Sequence, residues 1–301
     1  MPEAKKLLIE DVYKSYGTKM VLDNVDLTVS SGEFCTLVGP SGCGKSTLLR
    51  LILGQESPDC GRIEIEGETV GVPDPQRGIV FQRYSLYPHL TVMQNVLLGR
   101  NLTRRNWLLP WKPDSADTDE AMLYLNRLRL ADAIHKYPHE LSGGMQQRVA
   151  IAQALIMKPP ILLMDEPFGA LDPDTREELQ LFLLELWAAE KLTIFFVTHD
   201  LTEACFLGSR MLVLSQYYTD DRGQNSTEVR RGGRIVADHI LPSVATSTEI
   251  KTNSVFLELI DSVRADGFEP SVLQHVKSFN LKHPDSFQTL LETECRDAER
   301  D

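Results

Sequence analysis

Gly39-Pro40-Ser41-Gly42-Cys43-Gly44-Lys45-Ser46-Thr47 is the stretch on which the reading of this chain turns. Its spacing fits G-x-x-x-x-G-K-[ST], and its flanks suit that motif. Glu33–Val38 before it reads as an apolar strand, and Lys45–Leu53 after it as an apolar-periodic helix stopped by Gly54. Glycines in such a loop let backbone N–H groups converge on phosphate oxygens, and the helix N-terminus adds a favourable dipole. Lys45 would then reach the β- and γ-phosphates and the Ser46 hydroxyl would ligate Mg²⁺. A glycine turn with no ligand is the plainer alternative.

Outward from this loop, the N-terminal side is β-rich. Leu7–Tyr13, Val25–Val29 and Gly61–Ile65 read as strands between turn residues such as Ser57-Pro58-Asp59. Toward the C-terminus a strand at Gly78–Gln82 gives way to helical patterns at Val92–Leu98, Asp119–Leu130 and Met145–Met157. Continuous apolar runs at Ile161–Met164 and Thr193–Thr198 suit strands buried on both faces of a parallel sheet, joined by a helix over Asp174–Lys191. Residues 216–233 read as a polar, solvent-exposed hairpin or loop before a last strand at Arg234–His239. In the tail, Ile250, Phe256, Leu259, Ile260 and Val263 fall near one helical face, as do Val272, Leu273, Val276 and Phe279, which predicts two or three short amphipathic helices.

Two further clusters carry chemistry. Asp165 and Glu166 end the apolar run Ile161–Met164. Asp165 would face a Mg²⁺ shell and Glu166 would take a proton from an attacking water, although an acidic strand end can be simple turn chemistry. Leu141-Ser142-Gly143-Gly144-Met145 opens a helix and forms a second anion site of backbone donors. One chain thus holds two such sites.

With these motifs in place, the chain resembles the nucleotide-binding subunits of ATP-binding cassette (ABC) transporters over roughly residues 7 to 242. In that family the signature loop of one subunit closes over ATP on the phosphate loop of the other. The resemblance implies roles for further residues: Tyr16 for stacking on adenine, Gln82 for sensing Mg²⁺ and the attacking water, Asp172 of Gly169-Ala170-Leu171-Asp172 for crossing the dimer interface, and His199 for contacting the γ-phosphate. The catalytic set it implies is Glu166, His199, Gln82 and Lys45. ATP would be held by Tyr16, the loop Gly39 to Thr47, Ser142, Gly143, Gly144 and Asp172, and Mg²⁺ by Ser46, Gln82 and Asp165. Two features depart from the family pattern: Met145 where the signature usually has Gln, and the length of segments 101–117 and 216–233.

The fold class expected is α/β: a P-loop NTPase core with a parallel sheet, an antiparallel β subdomain, an inserted α-helical subdomain at about 85–155, and a short helical C-terminal tail. The nucleotide-binding domain is expected over 1–242 and the helical extension over 243–301. The expected activity is Mg²⁺-dependent ATP hydrolysis coupled to transport. Gly71–Gln82 and Glu166–Asp172 look like the importer subunits for nitrate, sulfonate, taurine or bicarbonate, whereas Leu86–Val92 is closer to the sugar and iron importers. The expected partners are a second copy or paralogue in a head-to-tail dimer, transmembrane permease subunits and, indirectly, a solute-binding protein. Trp107-Leu-Leu-Pro-Trp111 is read as core packing of the helical subdomain or as a contact with that permease.

Composition narrows the alternatives. The chain has 301 residues, 42% hydrophobic and 25% charged, with 31 Lys and Arg against 43 Asp and Glu, giving a formal net charge of −12. This argues against binding nucleic-acid backbone or docking on an anionic membrane by charge alone. No apolar stretch approaches the ~20 residues of a bilayer span, the N-terminus lacks the apolar core of a signal peptide, and the five cysteines lack CxxC spacing. The expected location is therefore peripheral, on the cytoplasmic face of the inner membrane. The competing classes are an exporter or lipid-transport ATPase, a soluble non-transport ABC ATPase, and a P-loop kinase.

Overall fold

The computed structural model describes residues 5–74, 77–82, 86–102, 113–222, 231–241 and 254–290. The Trp107–Trp111 cluster lies outside them, as does most of 101–117. The chain divides into two compact units, one from residues 1–72 and 187–301, the other from 73–186.

In the first unit, β1 (Lys5–Tyr16) and β2 (Lys19–Ser30) form a long antiparallel hairpin turned at Gly17-Thr18, extended on the β1 side by β4 (Cys60–Ile65) and β5 (Glu68–Thr69). Both hairpin strands outrun the stretches read from sequence, because bulges shift the register between Ile9 and Val12 and again near Lys14. The unit's second sheet centres on β3 (Phe34–Val38), all five of whose residues are buried. Parallel neighbours flank it, β8 (Ile194–Val197) and β9 (Arg210–Ser215), and β11 (Arg234–Ile240) runs antiparallel to β9. A continuous apolar run is what a strand covered on both faces requires.

After β3 the chain enters α1 (Lys45–Ile52). Gly54, at φ 71, ends this helix as expected. The Gly54 and Gln55 N–H groups bond back to Leu51 and Arg50 carbonyls at 3.0 and 2.9 Å, satisfying the last turn's acceptors.

The tail departs from the helical expectation. Its first part does form α7 (Ser254–Gly267), burying Phe256, Ile260 and Val263. Residues 272–279 are not a second helix. They form β12 (Gln274–His275) and a single 3₁₀ turn, followed by β13 (Asn280–Leu281), which pairs with β11. Nor is the described part of 216–233 a solvated loop. Tyr218 and Asp220 are fully buried, and β10 (Tyr218–Thr219) pairs in parallel with β12. The polar composition misleads because the charges meet one another: Arg222 bonds Asp23 and Asp220, Arg231 bonds Asp220, and the Tyr218 hydroxyl donates to Asp23 at 2.7 Å. Residues 223–230 lie outside the described set.

In the second unit, β6 (Ile79–Phe81) and β7 (Leu162–Asp165) pair in parallel, and α2 (Val92–Leu102), α3 (Ser115–Arg127) and α4 (Gly143–Leu155) pack on one another. α3 begins four residues before the predicted start because Asp114 caps it, accepting from the Asp117 N–H at 2.8 Å. α5 (Pro173–Glu190) begins in this unit.

Candidate functional site

The glycine-rich loop of the first unit lies between β3 and α1. Gly44 is the N-cap residue of α1 at φ 113. No side chain caps the helix and no acidic residue occupies its first turn. The first-turn N–H groups of a helix carry its positive pole, so this start favours an anion. Only glycine fits at Gly44, since a Cβ there would lie 2.7 Å from Leu22 Cδ2. Lys45 is nearly buried, and its ammonium donates to the Gly39 and Pro40 carbonyls at 2.6 and 3.1 Å. A cation is thereby held against the loop by two hydrogen bonds. Ser41, Gly42 and Ser46 are exposed, whereas Cys43 is buried and burial pushes its thiol pKa up, against the pull of Lys45. That thiol is therefore a weak nucleophile.

Tyr16 stands exposed at the end of β1, with Lys14 Nζ 5.6 Å from its ring centroid. Arg50 connects it to the loop helix, donating to the Tyr16 hydroxyl at 3.4 Å and to Thr47 Oγ1 at 3.2 Å. Sequence reasoning missed Arg50, although its spacing of three from Thr47 places both on one helix face. His199 is exposed after β8, between Thr198, whose hydroxyl bonds Glu203, and Asp200, which caps α6 (Leu201–Leu207).

The second unit carries the other predicted residues. β7 delivers Asp165 at its end, and Glu166 follows at φ 45, left-handed backbone that a non-glycine residue rarely adopts. Such strain is tolerated where the surrounding structure imposes it, and it concentrates at functional positions. The chain then turns, with the Gly169 N–H bonding the Glu166 carbonyl at 3.1 Å. A Cβ on Gly169 would lie 2.8 Å from Gln82 Nε2, so the Gln82 amide rests beside the turn that begins at Glu166. Asp172 ends the loop as the N-cap of α5, accepting the Thr175 N–H at 3.0 Å. That bond holds its carboxyl below the usual range.

Ser142 is exposed and caps α4, its hydroxyl accepting from the Met145 N–H at 3.3 Å. Gly143 and Gly144 open the helix. Gln146, beside the anomalous Met145, turns its amide back to the Leu141 carbonyl at 3.2 Å. The structure thus brings Gln82, Asp165 and Glu166 onto adjoining ends of paired strands, and Ser142, Gly143 and Gly144 onto one helix start. Lys45, Ser46 and Tyr16 gather in the first unit.

A family model described as ABC transporter matches residues 22–169. The aliphatic sulfonates import ATP-binding protein SsuB of Bacillus subtilis is 46% identical over 194 residues, covering 64% of this chain and 72% of that protein. The bicarbonate transport ATP-binding protein CmpD of Synechocystis is 42% identical over 213 residues, covering 69% of this chain and 74% of that protein. Among solved structures, a dimeric post-hydrolysis state of the ATP-binding cassette MJ0796 bound to ADP and Pi superposes with a TM-score of 0.62 at 30% identity, covering 79% of this chain and 99% of that one.

Proposed function

This chain belongs to the ABC transporter family as an ATP-hydrolysing, nucleotide-binding cassette, and from that premise we propose that it energises a membrane importer of a small anion. The observation that carries the ATPase reading to named residues is the carboxylate Glu166, held in strained left-handed backbone directly after Asp165 at the end of β7.

On this reading the loop Gly39–Thr47 takes the phosphates of ATP, Lys45 exchanges its loop carbonyls for phosphate oxygens, and Tyr16 stacks on the base. Glu166 accepts the proton of the attacking water, with Gln82 and His199 orienting the reactants. Ser46, Gln82 and Asp165 supply oxygen donors of the kind Mg²⁺ prefers, and the ion contributes charge neutralisation at the phosphates. Ser142 and the Gly143 and Gly144 amides of a second copy complete recognition of the nucleotide, and Asp172 crosses between copies. The pair docks at the cytoplasmic face of the membrane on permease subunits, which receive solute from a binding protein. The anionic solute is proposed because similar proteins serve aliphatic sulfonates and bicarbonate. Among the described residues no helix is long and apolar enough to cross a membrane.

Two measurements test this. Purified chain should release inorganic phosphate from ATP with no second substrate; a requirement for an acceptor would favour a kinase. Affinity-tagged chain should capture a multi-span permease from detergent-solubilised membranes, and vesicles rebuilt with that permease should accumulate a sulfonate or bicarbonate. Outward movement of lipid or drug would instead make it an exporter.

A further inference from the structure

We infer that Thr175 is a positioning residue that ties the Asp172 turn to the start of α4, so that both loops offered to a second copy move as one piece. The inference rests on the reading above, in which Ser142–Gly144 and Asp172 act on a partner chain's nucleotide.

Thr175 stands three residues after the N-cap of α5, with Pro173 setting the first helical position. Its backbone N–H donates to Asp172 Oδ1 at 3.0 Å, which fixes the exposed carboxylate against the helix start. Its hydroxyl bonds the same carboxylate, and its methyl meets Gly144. A Cβ built on Gly144 would lie 2.4 Å from Thr175 Cγ2, and the next nearest side-chain atoms are 3.9 Å away, Leu179 Cδ1 among them. Gly144 is buried at that contact, so its backbone seats directly on the threonine methyl. No larger residue fits, and a shift of either helix start presses on the other.

One turn further along, the same two helices are fastened again. Arg148 Nη2 of α4 lies 2.7 Å from Glu178 Oε1 of α5, with the Arg148 side chain 11% exposed. Two contacts one turn apart, the second to a half-exposed Glu178, resist sliding of one helix past the other. The Asp172 carboxylate, the Ser142 hydroxyl and the Gly143–Gly144 amides therefore keep a set mutual geometry, as groups that must meet one nucleotide together require. Neither contact is part of the hydrolytic chemistry, and neither motif reveals the other in the sequence.

The test uses the full chain carrying Glu166→Gln to slow hydrolysis. ATP-driven pairing is followed by light scattering, and nucleotide binding by the unpaired chain with a fluorescent ATP analogue. Thr175→Ser removes only the seated methyl, while Thr175→Val keeps it and removes the hydroxyl. With Ser, the ATP concentration at half-pairing should rise about fivefold, the order that one buried methyl contributes. Single-chain binding should be unchanged and the melting temperature should hold within about 4 °C. Val should raise the ATP concentration at half-pairing less than Ser does, since it keeps the seated methyl and loses only the hydroxyl bond to Asp172. Pairing by Ser at the parent's ATP concentration would overturn the inference, and so would a loss with Val equal to that with Ser. If the parent binds the analogue yet never pairs, the proposed function itself fails and takes this inference with it.

Discussion

At Gly44, α1 begins with no side-chain cap, whereas at Ser142, α4 begins with a hydroxyl already bonded to the Met145 N–H. Both starts are glycine-rich, yet they are finished differently. The first has a buried ammonium folded onto carbonyls of its own loop and no side-chain cap. The second has Ser142 exposed and Gly144 buried, is partly self-satisfied and is free of cations in its first turn. A start of the first kind suits capture of a polyphosphate from solution. One of the second kind suits closing on an anion that another body already holds, because its own contribution is small.

Four substitutions would break or sharpen that contrast. Glu166→Gln should lower phosphate release by roughly 10²–10⁴-fold, the usual worth of a general base, while leaving nucleotide binding intact. Near-normal turnover would move the base elsewhere. Lys45→Ala should weaken binding of a fluorescent ATP analogue by the single chain about 100-fold, since it removes charge-assisted bonds to phosphate; retention of affinity would show that the open start suffices without its cation. Ser142→Ala should leave that single-chain affinity untouched but weaken ATP-driven pairing about tenfold, and should cost about 1 kcal/mol of stability through the lost cap. A fall in single-chain binding would erase the distinction between the two starts. Met145→Gln restores a polar group at the signature, and calls for about two- to threefold less ATP at half-pairing by light scattering. No change would show that the Ser142 hydroxyl and the glycine amides carry recognition alone.

What could be read from sequence was local. The loop 39–47 declares itself by its glycine spacing, and the runs Phe34–Val38 and Ile194–Val197 by their near-continuous apolar character, Thr36 alone being polar, as suits strands buried on both faces. The strand-end acids, the Ser142 cap and the Gly54 stop are likewise set by neighbours within a few residues. What was hidden depends on partners far along the chain. Strand β2 carries Asp23, Asn24, Asp26, Thr28 and Ser30, all buried, although alternation with Val25, Leu27 and Val29 assigns Asn24, Asp26, Thr28 and Ser30 to a polar face. Their partners lie in Tyr218, Arg222 and the segment Asp285–Thr289. Likewise Gln274–Leu281 looks helical by periodicity, but its backbone groups find strands β10 and β11 in place of a helix. Buried polar groups follow satisfaction of hydrogen bonds, which composition and periodicity do not encode.

The strap that Thr289 lays over β2 sets an order of events during synthesis. Asn24 Nδ2 donates to the Thr289 carbonyl at 2.6 Å across 265 residues of chain, and the Thr289 N–H returns to Asp26. The second unit closes on itself between Pro73 and Leu186, a continuous stretch that a ribosome releases early. The first unit must wait with a polar strand half unpaired until the last of these residues emerges, the slow course expected of contacts so far apart. Until then each orphaned group of β2 that is shut away from water costs about 1–3 kcal/mol. The bonds that Asp285 and Thr289 make to β2 can therefore form only after those residues have been made.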